Sequence, residues 1–369
     1  MLIFRYLLRE TLKSSTAVFL VLMAIFILQK FVRVLAEASS GDIPAGLVLG
    51  FLALNIPVLA SLILPLGLFL GIMLAHGRLY VDNEMAVMQA CGISEWYVTR
   101  VMLVLSLILA ALSAGLTLWL APHALDVEYQ LEEQLSAESG LTSLIPGRFQ
   151  ETGNQKAVLF VHEVSGEEGQ LQRVFLAQQQ SPESDQPMRI IYADTGEVEK
   201  QADGSEQLIL KQGRQYEGQQ QALDYRIIEF DRYQVQITEQ SPQQQTRKLA
   251  AYSTPQLLQQ DTLEATAEWQ WRLAIPLSLP LLVLIAVPLS AVNPRQGRFG
   301  KLFPGLLLYL GYFMLLMAGR KVLENGKVPE VIGLWWVHGV VLVIGVVLVM
   351  KGRTTGVRLR ARMKGGQRV

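Results

Sequence analysis

Six stretches of this chain are long and apolar enough to cross a lipid bilayer, and they stand in two groups of three on either side of a 151-residue segment of different character. A helix needs about 20 mostly apolar residues to span the hydrocarbon core. The first group covers residues 15–35, 47–75 and 101–121, and the second covers 273–292, 302–319 and 333–350. Lipid offers no partner to a bare peptide group, so such stretches must be helical. Pro57 and Pro65 in the second stretch, and Pro276, Pro280 and Pro288 in the fourth, are therefore expected to kink their helices without ending them. Residues 1–9 run directly into a full span with no small-residue cleavage site, which reads as an anchor and not as a removable signal peptide.

The domain plan that follows is a membrane block over 1–121, an insert over 122–272 and a second membrane block over 273–369. Only 17% of residues are charged, against about a quarter in soluble domains, and the 32 basic and 32 acidic side chains cancel. With 51% of residues apolar the chain is not a disordered one, and the absence of net positive charge excludes a basic nucleic-acid-binding surface. Orientation follows from Lys and Arg near the spans. With the N-terminus inside, the cytoplasmic side carries fifteen, among them Arg5, Arg9, Arg78, Arg100, Arg298 and seven in the tail, and the two short outer loops carry three. Both termini are thus expected in the cytoplasm and the insert outside the cytoplasmic membrane. The lone Cys91 cannot close a disulfide within the chain.

The insert reads as strands: 156–164 (KAVLFVHEV), 171–178 (LQRVFLAQ), 189–193, 207–211 and 225–235 are short apolar or alternating runs. Ser165-Gly166, Ser181-Pro182, Asp203-Gly204 and Glu217-Gly218 supply turn chemistry between them. The expected fold is an α-helical membrane protein with six transmembrane helices and an inserted all-β, jelly-roll-like domain, joined through acidic helical connectors at 124–139 and 254–268.

Enzymatic chemistry is not visible. No phosphate-binding loop, HExxH, paired-cysteine or GxSxG pattern occurs, and His76, His123, His162 and His338 are scattered. The six stretches also contain no carboxylate of the kind proton-coupled carriers use. A transport device built on this chain would have to borrow its energy.

The segment between the second and third spans, residues 79–91, is where borrowing is expected. Val81, Met85 and Met88 fall at i, i+4 and i+7 with Glu84 beside them, and Gly92 stands where a helix would stop. A short amphipathic helix carrying one carboxylate fits the groove of a cytoplasmic partner, or else rests on the lipid interface. A second constellation is Lys30 and Arg33, at i and i+3 near the outer end of the first span. They either snorkel to the headgroups or meet an anionic ligand at that depth.

The strings RYLLRETLKS, LYVDNEMAVMQACGIS, PLSAVNPRQGRFGKLFPGLLLYLGYF and GKVPEVIGLWWVH resemble the LptF/LptG family of lipopolysaccharide export permeases, on the LptF side. The resemblance spans both membrane blocks. It implies one half of an ATP-binding-cassette transporter that draws lipopolysaccharide from the outer leaflet of the inner membrane and passes it to a periplasmic bridge. The implied partners are an LptG-type permease, two LptB-type ATPase subunits, an LptC-type protein and an LptA-type bridge. ATP and Mg would be bound by the ATPase, with no cofactor in this chain. In that family the loop after the second span couples to the ATPase, which gives Glu84 the acidic contact, with Tyr80, Val81, Met85 and Met88 as its neighbours. Basic residues of the first and fifth spans line the cavity, which gives Lys30, Arg33, Arg320 and Lys321 as substrate contacts. Phe26, Leu62, Leu66 and Tyr309 are candidates for its apolar wall, and Phe160, Val174, Leu176, Ile191 and Ile228 for the groove or core of the jelly roll. The rival reading is a non-transporting mechanotransmission or scaffold protein that links a cytoplasmic ATPase to a partner outside.

Overall fold

The computed structural model describes residues 2–40, 43–138, 146–147, 149–152, 157–165, 170–178, 188–200, 206–218, 225–237, 249–292 and 299–351. The chain divides into two compact units, Met1–Glu128 with Lys248–Val369, and Tyr129–Arg247.

The first unit is helical. α1 (Leu2–Ser40), α2 (Val48–Val81), the short α3 (Glu84–Ala90) and α4 (Glu95–Gly115) precede the insert. A π-helical turn, Leu116–Leu120, carries α4 without a break into α5 (Ala121–Glu138). After the insert come the single turn α6 (Thr254–Leu257), then α7 (Leu263–Leu289), α8 (Leu302–Glu324) and α9 (Trp335–Lys351). Among the described residues five helical stretches have the length and hydropathy of membrane spans, and α9 supplies a shorter apolar helix. All six expected segments are therefore helices, and the five prolines lie inside α2 and α7 as expected.

α2 and α7 form the centre, with α1 along α2, α4 and α9 along α7, and α8 touching both. The α1–α2 contact is set by Gly67-Leu68-Phe69-Leu70-Gly71, a pair of glycines four apart that lets two backbones approach. A Cβ at Gly71 would strike Ser15, whose backbone nitrogen lies 2.6 Å away, and one at Gly67 would sit 3.2 Å from the Phe19 Cβ.

Among the described residues of the second unit, the strands after α5 form one antiparallel sheet in sequential order, β1 (Phe149–Thr152), β2 (Ala157–Ser165), β3 (Gln170–Gln178), β4 (Met188–Lys200), β5 (Glu206–Gly218) and β6 (Tyr225–Ile237). The five expected strands are present, with β4 and β5 much longer and β1 additional. The turns at Ser181-Pro182 and Asp203-Gly204 lie outside the described residues.

A crease runs across this sheet. Pairing lapses at His162–Arg173, Arg173–Asp194, Asp194–Gln212 and Gln212–Asp231, while the pairs on either side keep one register. All five of these polar residues are exposed. Across the line the inward-facing set slips by one residue, from Leu171 to Val174 and Leu176 in β3, from Ile191 and Ala193 to Gly196 and Val198 in β4, and from Leu208 and Leu210 to Gln215 in β5. Arg173 and Gln212 supply the extra residue in left-handed conformation, φ 51° and 54°, at a cost of about 1 kcal/mol each. Gly213 stands beside the crease because a Cβ there would meet the Phe230 ring and, at 2.5 Å, the Tyr192 carbonyl oxygen. Gly213→Val is accordingly expected to destabilise the sheet by about 1–3 kcal/mol. Hydrogen exchange of the peptides covering β4 to β6 measures this, and unchanged protection there contradicts the packing described.

Candidate functional site

The loop expected to couple to a partner is built from three pieces. α2 ends at Val81, Asn83 turns the chain with φ 61°, and α3 begins at Glu84. α3 closes with a left-handed Gly92 (φ 88°) whose N–H reaches the Gln89 carbonyl at 3.0 Å while Ile93 N–H reaches that of Met88 at 3.0 Å, a Schellman stop. Ser94 then caps α4 by accepting the Tyr97 N–H at 3.3 Å. The break at Asn83 separates Tyr80 and Val81 from α3, so Val81, Met85 and Met88 do not continue one helical face. Met85 is buried in the helical core, and Tyr80 and Met88 pack partly against it. The exposed large apolar side chain of α3 is Val87, 62% exposed and one turn after Glu84. The sequence pattern missed it because the 79–91 segment reads as one helix until the turn at Asn83 is seen.

Glu84 accepts a 2.5 Å hydrogen bond from the Tyr6 hydroxyl on α1. One turn further along α1, Glu10 pairs with Arg78 of α2 at 2.5 Å and with Lys13 at 3.2 Å. Leu2, Ile3, Tyr6, Val87 and Met88, with the carboxylates Asp82 and Glu84, line a mostly apolar groove at this end of the unit.

At the far end of α1, Lys30 lies 3.8 Å from Glu128 of α5, which also accepts a 2.9 Å hydrogen bond from Asn55 Nδ2 of α2. Lys30 is partly buried and Arg33 exposed. Neither simple reading of this pair foresaw a carboxylate beside Lys30, since Glu128 lies 95 residues or more along the chain.

Arg320 sits in a third cluster. Its guanidinium pairs with Glu268 of α7 at 2.7 Å and with Glu324 at 2.9 Å, and lies over the Trp271 ring at 5.5 Å. Lys321 pairs with Glu324 at 3.1 Å and is largely exposed. Glu268 also holds Arg272 Nε at 3.2 Å, and both side chains are buried. Arg272 donates to the Leu249, Ala250 and Tyr252 carbonyls at 2.9–3.1 Å and to the Thr254 hydroxyl at 3.0 Å. Thr254 in turn donates to the Leu118 carbonyl in the π-helical turn, at 2.6 Å. Sequence reasoning passed over Glu268 and Arg272, although an i, i+4 ion pair at the head of an apolar helix is a visible signal.

The model of the lipopolysaccharide export system permease LptF/LptG matches residues 5–351, which is nearly the whole chain. The chain belongs to the LptF/LptG family. The lipopolysaccharide export system permease proteins LptF of Escherichia coli K12 and of Shigella flexneri are each 36% identical to it over 361 residues, 98% of either chain. The family is one of membrane permeases, and its match covers both membrane blocks and the insert.

The remaining positions that likeness to LptF/LptG proteins had singled out are dispersed. Phe26 is exposed on α1, Leu62 and Leu66 are partly buried on α2, and Tyr309 is buried between Phe69 and Phe313, at ring-centre distances of 5.8 and 6.4 Å. In the sheet, Val174, Leu176 and Ile191 are fully buried members of one core. Phe160 lies on the opposite face, 4.8 Å from Phe149 by ring centres. Ile228 is partly buried opposite Gln215. Among the described residues no group of three or more His, Cys, Asp and Glu could hold a metal ion.

Proposed function

We propose that this chain is the LptF-type permease of a lipopolysaccharide exporter in the inner membrane, with both termini in the cytoplasm and the β unit in the periplasm. An LptG-type permease completes the lipid cavity, two LptB-type ATPases drive it, and an LptC-type protein and an LptA-type bridge receive the lipid. The observation that carries this reading is the placement of Lys30 and Arg320 toward the C-terminal ends of α1 and α8. Only 11% and 28% of the most apolar stretches of these two helices are buried, against 67% and 61% for α2 and α7. A second permease covering α1 and α8 encloses a space with apolar walls and a cationic rim, which matches acyl chains beneath phosphorylated sugars. Lys30 is held by Glu128 and Arg320 by Glu268 and Glu324, so phosphate entry exchanges one anion for another at a preformed position.

ATP binding and hydrolysis in the LptB-type partner supply the energy, and the α2–α3 turn with Glu84 receives the motion. The polypeptide makes and breaks no covalent bond. In the reconstituted complex, Lys30→Gln with Arg33→Gln is expected to lower lipopolysaccharide-stimulated ATP hydrolysis about tenfold, the scale of one charge-assisted hydrogen bond, while basal hydrolysis stays within about twofold. Equal loss of basal and stimulated rates places the two cations outside the lipid path.

A further inference from the structure

We propose that Tyr6 is a positioning residue for Glu84, and that the first turns of α1 form the second wall of the groove that receives the ATPase. This inference rests on the coupling role given to Glu84 above.

α3 is seven residues long and its first residue is Glu84, so a helix of this length has little means of its own to fix that side chain. Asn83, the residue before it, makes no side-chain capping bond. What fixes the carboxylate comes from another helix. The Tyr6 hydroxyl donates to Oε2 at 2.5 Å across 78 residues of sequence, leaving Oε1 to accept from a cationic partner. Tyr6 itself is held because Glu10, on the next turn of α1, is tied to Arg78 on the last turn of α2. Two polar links therefore pin the start of α1 to the α2–α3 turn. The apolar side chains beside them, Leu2 at 86% exposed and Ile3 at 36%, continue the exposed surface of Val87 onto α1. Continuity of that apolar surface with the carboxylates of Glu84 and Asp82 fits a partner surface that is apolar and brings a cation to Glu84.

The arrangement has a mechanical consequence. α1 is uninterrupted from Leu2 to Ser40, and roughly 36 Å of helix separate Tyr6 from Lys30. A displacement of Glu84 by the ATPase reaches the Lys30–Glu128 pair through one rigid element, in addition to the covalent path through α2.

The test is a double-mutant cycle in the full complex, read as the affinity of the purified LptB-type ATPase for vesicle-embedded permease and as coupled hydrolysis. Tyr6→Phe keeps the ring and removes the hydroxyl. It is expected to weaken ATPase binding about five- to tenfold, the scale of one ordinary hydrogen bond, without lowering the melting temperature. In a Glu84→Ala background the same change is expected to add nothing. A Tyr6→Phe permease that binds normally while Glu84→Ala does not overturns the positioning role and leaves the coupling role standing. Normal binding by Glu84→Ala overturns the coupling role itself. An equal loss from Tyr6→Phe in both backgrounds shows that Tyr6 acts on the fold and not through Glu84. Leu2→Ser with Ile3→Ser tests the second wall: weaker binding at unchanged stability supports it, and unchanged binding removes it.

Discussion

Replacing Arg272 with methionine is expected to lower the melting temperature of the detergent-solubilised protein by several degrees, and to open the segment around residues 249–262 to proteolysis. The guanidinium serves two functions that methionine cannot. It supplies hydrogen bonds to three consecutive-turn carbonyls, those of Leu249, Ala250 and Tyr252, and it partly neutralises the buried Glu268. Each buried acceptor left without a donor costs about 1–3 kcal/mol, and breaking a buried ion pair from one side costs about 3–5 kcal/mol. Arg320 remains 2.7 Å from the other Glu268 oxygen, which keeps the total near that range and not beyond it. Arg272→Lys keeps the charge but cannot reach three carbonyls and a hydroxyl with a planar fork, so it is expected to recover no more than about half of the loss. A methionine variant whose melting temperature lies within about 2 °C of the parent would show that the network contributes no net stability.

The second large effect is expected at Gly71. Its α-carbon hydrogen faces the backbone of Ser15, and even a methyl group there forces α1 away from α2. Gly71→Ala is expected to cost about 1–3 kcal/mol, and Gly71→Leu to separate the two helices enough that the protein is degraded in the membrane. Gly67→Ala provides the internal comparison, because the neighbour there is the Phe19 side chain at 3.2 Å, which can yield by a few tenths of an ångström. The expected order of abundance is parent, Gly67→Ala, Gly71→Ala and Gly71→Leu. Equal abundance of the two alanine variants would mean that the helices are not in backbone contact at Gly71.

The helical unit was legible in the sequence because its physics is one-dimensional. Apolar runs of sufficient length must be helices in lipid whatever they pack against, and the prolines of α2 and α7 obey the same rule. The candidate site was legible only in part. Glu84 stood out as the carboxylate beside Val81, Met85 and Met88, but Tyr6, Glu128 and Glu268 face it or the basic residues from segments far along the chain, and no spacing rule connects them. The turn at Asn83 was also hidden, since Asn adopts the left-handed conformation without the glycine that usually advertises it. The strands failed differently. The apolar alternation of β4 and β5 was followed only to residues 193 and 211, one position before the crease, because a phase slip looks like the end of a strand when no partner strand is in view.

The crease makes strand length itself a constrained quantity in the β unit. An ordinary strand tolerates the loss of a residue near its end by shortening. Here β3, β4, β5 and β6 each spend one residue at the same height, so the deletion of Asp194 or Gln212 would restore unbroken alternation in one strand alone and turn half of that strand inside out relative to both neighbours. Side chains along the outer line can vary widely as long as they are polar, whereas the count of residues between each turn and the crease cannot. Grafting or trimming this domain therefore has to be done at its hairpin loops, in units that leave that count intact.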